Sequence, residues 1–528
     1  MILKLTMPLT QEVREPAMIV ASSPVASTTL GELRGTTDSG IHVFKGIPYG
    51  APVSGRARWL PPQPAHAWSG VRAATRFGPA APQATRAVRP PALVAAIGQP
   101  AVLDAGQAED CLVVNVWTPG LADGVGRPVL VWIHGGGYYS GSGASLHTQG
   151  TNLARRGDVV VVTLNHRLGV LGYLKLDHLL GADYAAAGVA GMLDLVLALD
   201  WVRDNATAFG GDPSNVSIFG CSGGGSKVSH LMAMPEAQGL FTRAIVQSGP
   251  GLRSMTPEAG ADLTNRLLVT LGLSEAEADQ LLVLPPEQLM DAQSKLVTPG
   301  AAMLGGSQVG PVLTDHHLPA HPFEPSAAPT AAKVPLIIGC NKDEMALGLG
   351  FHPRLTTLDD AGAQAWIVGA LGDRAAHLLP IYRRQRPEAN AGDLLITVLS
   401  DYMRTRSIRL AERKAAGGSA PVFMYRFDWQ TPVAGGKLRS CHALEVPFVF
   451  DNVEVAPITG TQPERTRLAA QVSTAWIDFA RSGDPGHSGL TEWPTYAPTD
   501  RATMLFNVDS RVVKDPDGAE REAWSAFD

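Results

Sequence analysis

Cysteine is scarce in this chain: four in 528 residues, at positions 111, 221, 340 and 441, with no C-x-x-C pair. That excludes a disulfide-stapled scaffold and gives no zinc-ligand pattern. Free thiols in a reducing compartment are the expectation, and neither a metal nor an organic cofactor is called for. Charge is also sparse, at 17% of residues with a net of −6. No basic field is left to hold nucleic acid or an anionic membrane. Aromatic residues are 6% of the chain, too few for a cavity densely lined with rings. There is no repeat, no low-complexity tract, and no apolar run read as a membrane span or stable anchor. Nothing in the pattern marks an oligomer interface.

The first 27 residues are expected to form a poorly ordered leader. Glu12, Arg14 and Glu15 interrupt it, and the short apolar stretch that follows contains Pro24, which makes a poor secretory signal. A cytoplasmic location is the matching expectation. Residues 28–528 are read as one domain. Short β-rich bursts occur at 112–117, 129–134, 159–165, 216–220, 244–248 and 334–339, and again at 423–429. Helical patterns at 191–205 and 226–234 separate several of them. Such alternation predicts an α/β fold with a mainly parallel central sheet covered by helices on both faces. Residues 28–34 and 41–49 read as an N-terminal hairpin around the turn residues 36–40. Amphipathic spacing, as at Leu263, Leu267, Leu268 and Leu271, predicts helical insertions around 257–320 and 350–420. These are expected to cap a pocket above the sheet.

The most informative segment is 217–225, Ser-Ile-Phe-Gly-Cys-Ser-Gly-Gly-Gly. Val216, Ile218 and Phe219 read as a buried strand, and Ser226 onward as a helix. Between them Gly220 and Gly224 bracket Ser222 in a G-x-S-x-G pattern. A serine on such a strained strand-to-helix turn is lifted above the sheet, with a helix N-terminus aimed at it. That suits a nucleophile beside a developing anion. A second segment, Trp132-Ile133-His134-Gly135-Gly136-Gly137, follows another buried burst. Three glycines in a row leave backbone N–H groups uncovered, as an oxyanion-binding loop requires.

Together with further stretches, these segments resemble the type-B carboxylesterases of the α/β-hydrolase superfamily, the group of cholinesterases and bacterial p-nitrobenzyl esterases. The further stretches are Phe44-Lys45-Gly46-Ile47-Pro48-Tyr49, Glu109-Asp110-Cys111-Leu112, Asn165-His166-Arg167-Leu168-Gly169, Phe209-Gly210-Gly211-Asp212-Pro213 and Gln247-Ser248-Gly249. The resemblance implies Ser222 as nucleophile. It places the acid at Glu344, the second carboxylate of Lys342-Asp343-Glu344, with Asp343 as local rival. It places the base at His442, ahead of Glu445-Val446-Pro447-Phe448. It implies an oxyanion hole from the N–H groups of Gly136, Gly137 and Gly223, and a supporting serine at Ser248. His134 is assigned to shaping the glycine loop.

The implied activity is hydrolysis of small to medium neutral carboxylic esters, small-molecule substrates, through an acyl-enzyme. Carbamate, amide or thioester hydrolysis by the same triad is the alternative, and a non-catalytic binding protein on the same fold is a third reading. Three departures from the family pattern stand out. Cys221 replaces a usual glutamate before the nucleophile, which removes a buried anion and weakens any preference for cationic esters. Gly223 replaces a usual alanine, predicting a roomier elbow. Ala81 stands where the family carries a cysteine partner for Cys111.

Overall fold

The computed structural model describes residues 23–84, 91–98, 105–297 and 309–527. Residues 1–22 of the expected leader, and 298–308 within the first insertion, lie outside the described residues. The chain opens with β1 (Val25–Thr28) and β2 (Gly31–Arg34), so residues 25–27 belong to a strand rather than to a leader. β3 (Thr36–Asp38) and β4 (Ile41–Pro48) form the hairpin at the expected turn, but β2 does not take part in it. It pairs instead with β1 and with β5 (Val71–Ala73) in a small separate sheet. β3, inside the expected turn residues 36–40, takes the place beside β4 that residues 28–34 were expected to fill.

Nine further strands follow: β6 (Val113–Thr118), β7 (Arg127–Ile133), β8 (Val160–Leu164), β9 (Gly211–Cys221), β10 (Arg243–Gln247), β11 (Leu336–Asn341), β12 (Val422–Phe427), β13 (Ala502–Phe506) and β14 (Arg511–Lys514). With β3 and β4 they make one sheet in the order β14-β13-β12-β11-β10-β9-β7-β8-β6-β4-β3. The run from β13 to β8 is parallel, and the two flanks are antiparallel. β6, which the sequence groups with the parallel bursts, is one of the antiparallel members. β7, β8 and β11 are buried at every residue, as strands covered on both faces must be.

Alternate side chains sort onto the two faces. Val129, Val131, Ile218, Val246 and Ile338 join one apolar cluster, which holds the helix Ala190–Asn205. Leu130, Trp132, Phe219, Ile245 and Ile337 join another, which holds the helix Glu464–Ser482. This is the α/β-hydrolase architecture. The stretch Ala182–Phe209 is apolar and long enough to cross a bilayer by composition, a point the sequence reading had missed, but 83% of its apolar window is buried inside the protein. Its apolarity is that of a core helix.

In the first insertion the helix Pro257–Leu271 buries Leu263, Leu267 and Leu268 against the first cluster. In the second, the helices Asp360–Leu371 and Arg374–Gln385 pack with Leu394, Leu395 and Val398 in a satellite core. The long helix Ala391–Gly417 continues past it, and Ile408, Leu410 and Ala411 reach the main core. That helix therefore belongs to the crossover between the parallel neighbours β11 and β12 rather than to an inserted cap.

Candidate active site

The carboxyl ends of β9, β10 and β11 lie side by side, with Cys221 opposite Gln247 and Gln247 opposite Gly339. Ligands in open α/β sheets bind at such strand ends. Ser222 leaves β9 at φ 60° and ψ −125°, and the helix Gly223–Leu231 starts at the next residue. A non-glycine residue in that conformation is strained and persists only where its surroundings hold it. They do: Ser222 N donates to Gln247 O at 2.8 Å, and Ser226 N donates back to Ser222 O at 3.0 Å. A side chain at Gly224 would meet the Ile133 carbonyl at 2.0 Å. The tight turn thus needs glycine there.

Glu344 lies three residues beyond the end of β11, and His442 lies on the loop before the helix Val446–Val449. The His442 Nδ1 position is hydrogen-bonded to Glu344 Oε2. His442 N also donates to the Glu344 carbonyl at 3.2 Å, so the two loops are tied twice. The second carboxylate oxygen of Glu344 accepts from Asn341 N at 2.7 Å. Burial pulls the His442 pKa down, and the Glu344 charge with its hydrogen bond outweighs that, so the imidazole ends above its ordinary 6.5. Asp343 makes no hydrogen bond or ion pair with His442. Its carboxylate faces Ser440 N at 3.4 Å and Arg439 at 3.9 Å, and burial raises its pKa. Between the two candidates, geometry selects Glu344.

The glycine loop lies against the start of the serine helix. Gly136 and Gly137 hold φ values of +100° and +64°. Among the described residues, the N–H groups of Gly136, Gly137 and Gly223 donate to no protein acceptor. The far end of the loop is fixed by Gln83, which exchanges two hydrogen bonds with Gly141 at 2.9 and 3.0 Å, and by Asn165, whose side chain accepts from Gly143 N at 2.7 Å. His134 and His166 stack at 4.9 Å, and burial holds His166 well below its ordinary pKa. Neither imidazole bonds to Glu344.

Three expectations change in detail. Gly223 does not make the elbow roomier: a Cβ there would stand 2.1 Å from the Gly137 carbonyl oxygen, which fills the space. Ser248 makes no hydrogen bond to Glu344 or His442; its hydroxyl is buried without a partner, and its N–H goes to Gly339 O at 2.8 Å. Asn341 takes the supporting role instead, donating from its side chain to the Cys441 carbonyl at 2.6 Å and to Glu445 at 2.7 Å. Cys221 replaces a carboxylate but does not empty the area of negative charge, because the nearby Glu445 and Glu344 carboxylates add to the burial that pushes its thiol pKa up. Cys111, Cys221, Cys340 and Cys441 are all free and buried. Burial pushes each thiol up, which removes the reactive thiolate. They read as packing residues.

Sequence reasoning missed Glu445, Asn341, Gln247 and Lys227. Gln247 donates to Glu445 at 3.1 Å and completes the polar floor under the base. Glu445 stands inside the run used to locate His442, and Asn341 stands one residue before the run used to locate Glu344. Lys227 is the only Lys, Arg, Asp or Glu between Asp212 and Glu236, a signal that was available. Among the described residues, no group of three His, Cys, Asp or Glu is placed to hold a metal ion.

Comparison with known proteins shows the family to which the fold belongs. A sequence model of the carboxylesterase family matches residues 22–524. The para-nitrobenzyl esterase of Bacillus subtilis is 35% identical over 508 residues, covering 94% of this chain and 98% of that protein. Phenmedipham hydrolase of Pseudarthrobacter oxydans is 35% identical over 514 residues, covering 93% and 96%. Among solved structures, a carboxylesterase of Geobacillus stearothermophilus is similar with a TM-score of 0.82 at 39% sequence identity, covering 95% of this chain and 99% of that one.

Proposed function

The chain belongs to the carboxylesterase family, and from that premise we propose that Ser222, His442 and Glu344 hydrolyse carboxylic esters through an acyl-enzyme. His442 takes the Ser222 proton as the hydroxyl attacks the ester carbonyl, then gives it to the departing alcohol. A water, deprotonated by the same imidazole, releases the acid. Glu344 holds the ring tautomer and stabilises the imidazolium. The N–H groups of Gly136, Gly137 and Gly223 receive the tetrahedral oxyanion. The observation that carries this reading is the Glu344–His442 hydrogen bond at the same carboxyl edge of the sheet as a strained serine whose neighbouring N–H groups have no protein acceptor.

The substrates are small to medium neutral esters, walled by the helical segments after β10 and β11. Cys221 contributes no charge, and Glu445 is already bonded to Asn341 and Gln247, so neither is free to receive a cation. A rate profile over p-nitrophenyl esters of increasing acyl length, with carbamate, anilide and thioester analogues, tests the bond class. Esters are expected to turn over fastest, and a choline ester no faster than its uncharged carbon isostere. A clear preference for the choline ester or the anilide would contradict the assignment.

The pH dependence follows from the raised His442 pKa. The imidazolium cannot accept a proton, so kcat/KM falls as pH drops through that pKa, with its acid limb above the ordinary imidazole range. Glu445 adds to the upward push. Glu445→Gln is therefore expected to move the acid limb to lower pH, read from pH–rate profiles of the two proteins. A limb that stays in place or rises would remove Glu445 from the base's electrostatics.

A further inference from the structure

Lys227 is fully buried on the serine helix, five residues beyond the nucleophile. Its ammonium nitrogen lies 2.8 Å from the Gly137 carbonyl oxygen and 3.3 Å from that of His134. These carbonyls bracket Gly135 and Gly136. Its other neighbour is the Tyr138 ring, with the nitrogen 5.4 Å from the centroid. Burial pushes its pKa down to about 7, and no carboxylate offsets the burial. A buried amine without a counter-charge costs free energy even when hydrogen-bonded, so its position calls for a role. The Gly137 carbonyl oxygen that Lys227 holds is the one lying where a Cβ at Gly223 would be, at 2.1 Å. Lys227 draws that peptide toward the helix, and Gly223 leaves the space for it.

We propose that Lys227 is a positioning residue for the oxyanion hole, gripping the glycine loop at His134 and Gly137 so that the loop seats against Gly223. The inference rests on the reading of Gly136 and Gly137 as oxyanion donors. It does not require the charged form, because a neutral amine keeps two N–H donors for two carbonyls. Removing one oxyanion donor typically costs about 10²–10³-fold in kcat. Lys227 acts through the loop rather than on the substrate, so a smaller loss is expected.

The test compares the wild type with Lys227→Met, Gly223→Ala and the double variant, using one p-nitrophenyl ester and a trifluoromethyl ketone. The ketone adds to the serine and places a tetrahedral oxyanion in the hole, whereas KM reports largely on the unreacted ester. Lys227→Met is expected to lower kcat by roughly 10–100-fold with little change in KM, and to weaken the ketone by a similar factor. Gly223→Ala displaces the Gly137 carbonyl and so removes the closer of the two holds of Lys227. The double variant should therefore lose less than the product of the single losses. Unchanged kcat and ketone affinity in Lys227→Met, or fully multiplicative losses, would overturn the proposal. Lys227→Gln keeps one side-chain donor group. It serves if the methionine variant does not fold, with an intermediate loss expected and no loss contradicting the role. Ester hydrolysis surviving in Ser222→Ala would instead overturn the underlying reading of the site.

Discussion

Ser222→Ala is expected to lower kcat for ester hydrolysis on the order of 10⁶-fold, the scale seen when a serine hydrolase loses its nucleophile. The residue sits at φ 60° and ψ −125°, where an alanine is as strained as a serine. The backbone hydrogen bonds that hold the turn, Ser222 N to Gln247 O and Ser226 N to Ser222 O, do not use the hydroxyl. The variant should therefore fold with a thermal midpoint close to that of the wild type. Loss of activity with retained stability separates an enzyme from a binding protein on the same scaffold. Residual hydrolysis near the wild-type rate would remove Ser222 from the chemistry.

Glu344→Gln should cost about 10⁴-fold in kcat, the magnitude found when the orienting carboxylate of a serine triad becomes an amide. Glu344 bonds directly to His442 Nδ1, and its other oxygen accepts from Asn341 N. An amide can hold the ring only in the wrong tautomer, and it supplies no charge to stabilise the imidazolium. Asp343→Asn is the matched control. Its carboxylate faces Ser440 and Arg439 and has no bond to the imidazole, so kcat should stay far closer to wild type. The reverse ranking, with Asp343 the more costly loss, would reassign the acid.

Most of the parallel strands were legible in the sequence because strands buried on both faces are written as unbroken apolar runs, as in β7, β8 and β11, although β13, parallel to β12 and buried throughout, was not read. β3 was not legible, because its three residues are exposed and polar. β1 fell within the stretch read as a leader, where its small residues carry no alternation. β14 is an exposed edge strand and gave a similarly weak pattern. Around the site, Ser222 and the glycine loop were visible because tight backbone approach demands glycine in a fixed order. Glu344 and His442 stood about 100 residues apart, and only the resemblance could join them.

What stayed hidden was the layer beneath. Whether Asn341 or Ser248 braces the acid depends on how two loops meet, which no spacing encodes. Gly223 was read as slack because a missing side chain looks like empty space in one dimension. The Gly137 carbonyl that occupies the space comes from a strand–loop unit some 85 residues earlier.

If hydrolysis passes through an ester of Ser222, that ester can be trapped. A p-nitrophenyl ester is mixed with the enzyme in excess, quenched in acid within the first turnover, and digested for peptide mass analysis. The acyl mass is expected on the peptide containing Ser222, in proportion to the burst of nitrophenol, with none in Ser222→Ala. A burst with the acyl group on another peptide, or turnover with substrate already bound and no acylated peptide at any time, would contradict it.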